Sequence, residues 1–190
     1  VAAPGQTGAQ GTGKAMTRVV RTVTGDLAAE GLGPVLLHEH LLFDLVAPGS
    51  DEGAACPVTL ETRWQTDYLS NVNPENARQA DVDVAASELG RFGAEGGGLI
   101  VDQSVIGIGR DADGLAAASA AAGVPVVAAT GTYTEAFLPD ELRAAGTQDL
   151  ADLFVREIRD GIGETQVRAG IIGEIGCSLP LSPVERRALE

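Results

Sequence analysis

The chain reads as an α/β protein built on a parallel sheet, and three observations lead there. Short apolar runs recur as Leu99-Ile100-Val101, Val124-Pro125-Val126-Val127-Ala128-Ala129 and Ala169-Gly170-Ile171-Ile172. Between them lie stretches whose apolar residues return every three or four positions, the period of a helix packed on one face. The runs are apolar throughout rather than alternating, as expected of strands covered on both sides. Parallel strands need a crossover back to the same end of the sheet, and a helix supplies it.

Taken in order, Thr17 to Val23 predicts a first strand, with Gly25-Asp26 supplying its turn. Val35-Leu36-Leu37 leads into His38-Glu39-His40 as the first strand of the repeating β/α series. A long irregular stretch follows from Ala47 to Pro74, of the kind that usually carries function. From Pro74 onward Ala77, Val82, Ala85, Leu89 and Phe92 predict one amphipathic helix that stops at Gly96-Gly97-Gly98. Leu99 to Asp102 predicts a buried strand, Asp111 to Ala122 a helix closed by Gly123, and Val124 to Ala129 the next strand. Leu150, Leu153, Phe154 and Ile158 mark a further helix, and Ala169 to Ile175 a further strand. Ser182-Pro183-Val184-Glu185 combines an N-cap serine, a proline at the first helical position and a glutamate at the third, which starts a helix. The chain ends at Glu190, about two turns into that helix, and the expectation is of a fold cut inside its series of units. Two architectures accommodate the pattern, an open doubly wound sheet and a closed eight-stranded barrel. Gly107-Ile108-Gly109 does not continue into the glycine fingerprint of a dinucleotide fold, which favours the barrel.

Composition excludes several functions. The 190 residues carry a net charge of −14 and Lys14 is the sole lysine, so nucleic acid is not an expected partner. No run approaches the ~18 apolar residues of a membrane span, and no membrane partner is expected. Cys56 and Cys177 are far apart and form no CxxC pair, which points to a reducing, cytoplasmic setting. Residues 1–15 lack the apolar core of a secretion signal and read as a flexible leader before a folded segment 16–190. Within that leader, Gly8 to Lys14 matches the glycine and lysine positions of a phosphate-binding loop. Ala15 stands where a magnesium-binding hydroxyl would be needed, and no apolar strand precedes it, so the match is discounted.

The chemistry concentrates in His38-Glu39-His40, which contains both histidines of the chain. Residues i and i+2 of a strand project the same way, so the two imidazoles can close on one ion. In a barrel of parallel β/α units the strand C-termini carry the site. His38 and His40 end the first strand there, Asp102 the second, Thr130 and Tyr133 follow the third, and Glu174 lies in the fourth. Asp102 suits a capping role better than a ligand role. Glu174, set among Ile171, Ile172 and Ile175, needs a charged partner, which a metal would supply.

These motifs, in this order, resemble the phosphotriesterase-like (phosphotriesterase-related protein) branch of the amidohydrolase superfamily. The resemblance runs through Thr22-Val23-Thr24-Gly25-Asp26, Leu32-Gly33-Pro34, His38-Glu39-His40, Val101-Asp102, Gly109-Arg110-Asp111 and Ala169 to Cys177. It implies a TIM (β/α)8 barrel of which this chain holds roughly the first four units, the N-terminal portion. It also implies a hydrolase with two divalent metal ions, zinc with manganese as the alternative, bridged by a hydroxide. In that pattern His38 and His40 bind the first metal and Glu174 bridges both. Organophosphate- and lactone-hydrolysing members carry a carbamylated lysine at that place, so Glu174 points to the glutamate-bridged subgroup. The remaining ligands, two later histidines and an aspartate, have no counterpart here, so the isolated chain is expected to be inactive. Tyr133 is the candidate substrate-binding residue, with the loop around Trp64 and Tyr68 as a further wall. The expected partner is a small-molecule ester, lactone, amide or phosphoester, and a homodimer of the full-length protein is compatible with the family. The rival expectation is a non-catalytic half-barrel that serves binding or assembly.

Overall fold

The computed structural model describes residues 18–50 and 56–190, so the leader at 1–15 and its phosphate-loop match lie outside the described residues. The first element is a hairpin of β1 (Val19–Thr22) and β2 (Gly25–Ala28), with Val19 opposite Ala28 and Thr22 opposite Gly25. Its turn falls at Val23-Thr24, two residues earlier than the glycine suggested. The Thr22 hydroxyl donates to the Gly25 carbonyl at 2.6 Å and closes the turn there.

The repeating units then begin with β3 (Val35–Glu39), followed by a short β4 (Phe43–Asp44). The long loop holds α1 (Arg63–Tyr68) and α2 (Pro74–Ala77), after which β5 (Arg78–Gln79) pairs antiparallel with β4. The single helix expected from Pro74 is therefore interrupted. Asp81 accepts from the Asp83 and Val84 amides and starts a new helix, α3 (Val82–Ala94). Next come β6 (Leu99–Asp102), α4 (Ala112–Ala122) and β7 (Val126–Thr130). Asp111 caps the start of α4, and Gly123 ends it in the left-handed conformation at φ 67°. A short α5 (Asp140–Arg143) precedes α6 (Thr147–Arg159), then β8 (Ile171–Ile172) and α7 (Pro183–Leu189).

The sheet order is β3-β6-β7-β8, and every pair is parallel. Strand order thus follows chain order without the reversal that defines a doubly wound sheet. Alternation divides the side chains between two faces. Ile100, Val126 and Ala128 pack against Ala85 and Leu89 of α3 and Leu115 and Ala118 of α4. Leu99, Val101 and Val127 turn the other way and meet Val20 of the hairpin and Leu32. Helices cover one face while the hairpin closes the N-terminal end, where the Val23 amide donates to the Val126 carbonyl at 2.8 Å. At the sheet margins Leu37 of β3 and Ile172 of β8 are 69% and 57% exposed. Among the described residues, no helix is long and apolar enough to cross a membrane.

One buried ion pair ties the layers together. Arg110 forms two parallel bonds to Glu157 of α6, at 2.7 and 2.9 Å, and also donates to the Ala129 carbonyl. The Thr130 hydroxyl donates to the same Glu157 carboxylate at 2.5 Å. Thr130 therefore faces the helices and not the strand-end rim where the sequence placed it.

Candidate metal centre

β3 does not run straight into its histidines. Val35 and Leu36 pair with Leu99 and Ile100, but Glu39 pairs with Asp102, a shift of register that bulges the strand across Leu37 and His38. His40 lies one residue past the strand end. The two rings nonetheless converge, with centroids 5.3 Å apart and edge to face.

The strand-end loops hold His40 in place. Asp102, fully buried, accepts from the Leu41 amide at 2.7 Å and from the Ser104 amide at 2.9 Å. Ser104 Oγ in turn shares a hydrogen bond with His40 Nδ1 at 3.1 Å, which leaves Nε2 directed elsewhere. Burial pushes the Asp102 carboxyl above its ordinary range, opposed by these hydrogen bonds and by the nearby His40. Asp102 is thus a scaffold for His40 and Leu41, in line with the capping role read from the sequence. Ser104 had no signal in the sequence, because a serine two residues past a strand has no distinguishing pattern.

Glu174 arrives from β8, but not as part of a strand. β8 comprises only Ile171 and Ile172, and Gly173 at φ 122° turns the chain out of the extended form. The segment that follows docks on the end of β7. Gly173 and Gly176 amides donate to the Thr130 and Thr132 carbonyls, each at 2.8 Å. A Cβ on Gly176 would overlap the Tyr133-Thr134 backbone, so only glycine allows this approach.

The result is a compact donor group. His38, His40 and Glu174 offer ligand atoms that all lie within 4.8 Å of one another. His38 Nε2 and Glu174 Oε2 stand 2.9 Å apart. Two imidazoles and a carboxylate make a donor set suited to zinc or a similar divalent cation, so the residues fit the metal that the family resemblance implies. Tyr133 is half-buried beside them. Burial, and secondarily the charge of Glu174, raise its phenol above the ordinary value, so it remains a hydrogen-bond donor at neutral pH. Tyr133 also stacks edge to face on Phe137 at 5.4 Å. A cavity of about 410 Å³ opens on the same rim between Asp44, Pro48, Gly107 and Phe137, and none of the three donors lines it. Trp64 and Tyr68 are 56% and 82% exposed on α1 and do not line that cavity.

A second buried carboxylate braces the rim. Glu185 of α7 accepts from the Glu135 amide at 3.0 Å, the Ser182 amide at 3.0 Å, and the Ser178 amide and hydroxyl at 2.9 and 2.8 Å. It joins the loops after β7 and β8 to the helix that follows. The capping box was visible in the sequence, but its reach to Glu135 and Ser178 was not.

Comparison with known proteins accords with this architecture. Residues 18–190 match the Phosphotriesterase family. A phosphotriesterase-related protein of Nematostella vectensis is 32% identical over 182 residues, covering 90% of this chain and 52% of that protein. The N-acetyltaurine hydrolase of Homo sapiens is 33% identical over 178 residues, covering 90% and 51%. Among solved structures, a resiniferatoxin-binding protein from Rhodobacter sphaeroides superposes with a TM-score of 0.80 at 34% identity, covering 90% of this chain and 50% of that one. The phosphotriesterase homology protein from Escherichia coli, complexed with phosphate in its active site, gives 0.64 at 28% identity, covering 83% and 47%. The chain spans about half the length of these relatives, and its parallel sheet is the corresponding part of their (β/α)8 barrel. The chain belongs to the phosphotriesterase family.

Proposed function

We propose that this chain carries the first cation site of a metal-dependent hydrolase, with His38, His40 and Glu174 as its ligands. The observation that carries the reading is the convergence of both histidines of the chain and Glu174 within 4.8 Å. Zinc is the expected ion, with manganese as the alternative. Bound there, a divalent cation lowers the pKa of water toward neutrality and polarises a carbonyl or phosphoryl oxygen.

The chain's own residues prepare that chemistry. Ser104 holds His40 by Nδ1, leaving Nε2 for the ion, and Asp102 fixes the turn that carries both. Glu174, now 2.9 Å from His38 Nε2, would hold the cation together with the two histidines. Tyr133 donates from its neutral phenol to the substrate oxygen. The substrates are small esters, lactones, amides or phosphoesters. The similarity to N-acetyltaurine hydrolases makes an N-acyl amide the first to assay.

Zinc and manganese titrations of the 190-residue chain, with hydrolysis assays on acyl-amide, lactone and organophosphate panels, test the reading. The expected result is cation binding without turnover by the chain alone. Absence of binding overturns the centre, and robust turnover overturns the need for outside donors.

A second reading, a half-barrel used for assembly, rests on the apolar margins of the sheet, where Val35, Leu36, Leu37, Ile171 and Ile172 are exposed. Size-exclusion chromatography separates the two. A clean monomer argues against assembly through these margins, and concentration-dependent association argues for it.

A further inference from the structure

Gln103 follows Asp102 at the end of β6 and is only 8% exposed. Its backbone amide donates to the Glu39 carbonyl at 2.8 Å, between the two histidines in sequence. Its side-chain Nε2 donates to the Leu37 carbonyl at 3.0 Å, at the bulge immediately before His38. A carbonyl only accepts, so this bond fixes the orientation of the amide: nitrogen toward Leu37, oxygen away from it.

That oxygen is the anomaly. Among the described residues Oε1 is buried without a hydrogen-bond partner. It lies 3.9 Å from the place a Cβ on Gly173 would occupy, beside the residue that leads into Glu174. One amide therefore sits between the residue preceding His38 and the residue preceding Glu174, with an unused acceptor in the gap. A buried acceptor left unpaired is costly, and a hydrophobic residue would avoid the cost. The strand interior around it is apolar, with Val101 and Val127 on the same face, so nothing in the packing calls for an amide.

We propose that Gln103 is a positioning residue of the cation site: its NH2 pins the bulge at Leu37 while its carbonyl oxygen presents an acceptor to the hydrated cation held by His38, His40 and Glu174. The inference rests on the reading of those three residues as ligands.

Two variants divide its roles. Gln103→Met keeps the volume and removes both donor and acceptor. Gln103→Glu keeps the acceptor and removes the donor at neutral pH. Calorimetric titration of zinc and manganese into the wild-type chain and both variants reads the dissociation constants, with circular dichroism checking the fold. The expected result is about tenfold weaker binding in Gln103→Met, as for loss of one acceptor to a charged group, and a smaller loss in Gln103→Glu, which keeps the acceptor but gives up the bond to the Leu37 carbonyl. Unchanged affinity in Gln103→Met overturns the proposal while leaving the three ligands in place. Equal loss in both variants also overturns it, because only the bond to Leu37 would then matter. If the wild-type chain binds no cation, the ligand reading falls first and this proposal with it.

Discussion

Glu185 provides the sharpest test of how the rim is held together, and the test is a pH titration of stability. Burial alone would raise its carboxyl. The hydrogen bonds from the Ser182, Glu135 and Ser178 amides and the Ser178 hydroxyl outweigh that, and hold it down at about 2 instead of 4.5. A shift of that size corresponds to on the order of 3 kcal/mol favouring the ionised, folded form. The folded-state pKa lies below the unfolded one, so as pH falls the unfolded chain takes up the proton first. The stabilisation is therefore complete above about pH 4.5 and is lost progressively toward pH 2. Asp102, raised by burial, contributes a slope of opposite sign, so the comparison must be a difference between two proteins. Urea unfolding of wild type and Glu185→Gln at pH 7, 4 and 2.5 supplies that difference. Wild type should be more stable by roughly 2 to 3 kcal/mol at pH 7, and the gap should shrink to below about 1 kcal/mol at pH 2.5. A gap that stays constant across this range, or no gap at pH 7, would refute the claim that an ionised Glu185 braces the loops.

Other perturbations address neighbouring parts of the account. Asp102→Asn leaves one of the Leu41 and Ser104 amides poorly paired and should cost about 1 to 3 kcal/mol in chemical denaturation. Cation affinity should fall with it, because His40 loses its anchored neighbours, and unaltered affinity would separate the two. Arg110→Met strands the Glu157 carboxylate and should cost about 3 to 5 kcal/mol, whereas Arg110→Met with Glu157→Met should recover much of the loss. A double variant as unstable as the single one would show that the pair is not the issue. Gly176→Ala drives a Cβ into the Tyr133-Thr134 backbone and should cost about 1 to 3 kcal/mol in a thermal melt while weakening cation binding through Glu174. Wild-type stability in that variant would mean the close approach is dispensable.

Much of the fold was legible because helix period and apolar strands are local signals. The β/α order, the Gly123 stop and the Ser182 capping box all stand where the residues placed them, and the helix read from Asp111 starts one residue later with Asp111 as its cap. The failures have physical causes. The helix from Pro74 broke because Arg78 and Gln79 pair with β4, a contact more than thirty residues away in sequence that no local period encodes. β8 is shorter than its apolar run because Gly173, at φ 122°, leaves the extended form although its amide still bonds the Thr130 carbonyl of β7. Of the candidate site, the histidine pair and Glu174 stood out in the sequence, since both histidines of the chain two residues apart and a carboxylate among isoleucines are unusual, and the structure brings the three together. Thr130 was misplaced because alternation puts it on the helix face, and a one-residue difference in strand phase reverses that assignment. Ser104 meets His40, and Gln103 meets the Leu37 carbonyl, only because β3 and β6 lie side by side with a shifted register, which local sequence does not encode.

The central claim is that His38, His40 and Glu174 are the ligands of one divalent cation. X-ray absorption at the zinc edge, on the chain loaded with one equivalent of zinc, tests it most directly. The account predicts a shell of nitrogen and oxygen at about 2.0 to 2.2 Å with the outer scattering of two imidazoles, reduced to one in His40→Ala. A shell at about 2.3 Å from the sulfur of Cys56 or Cys177, or a spectrum indifferent to loss of His40, would contradict it.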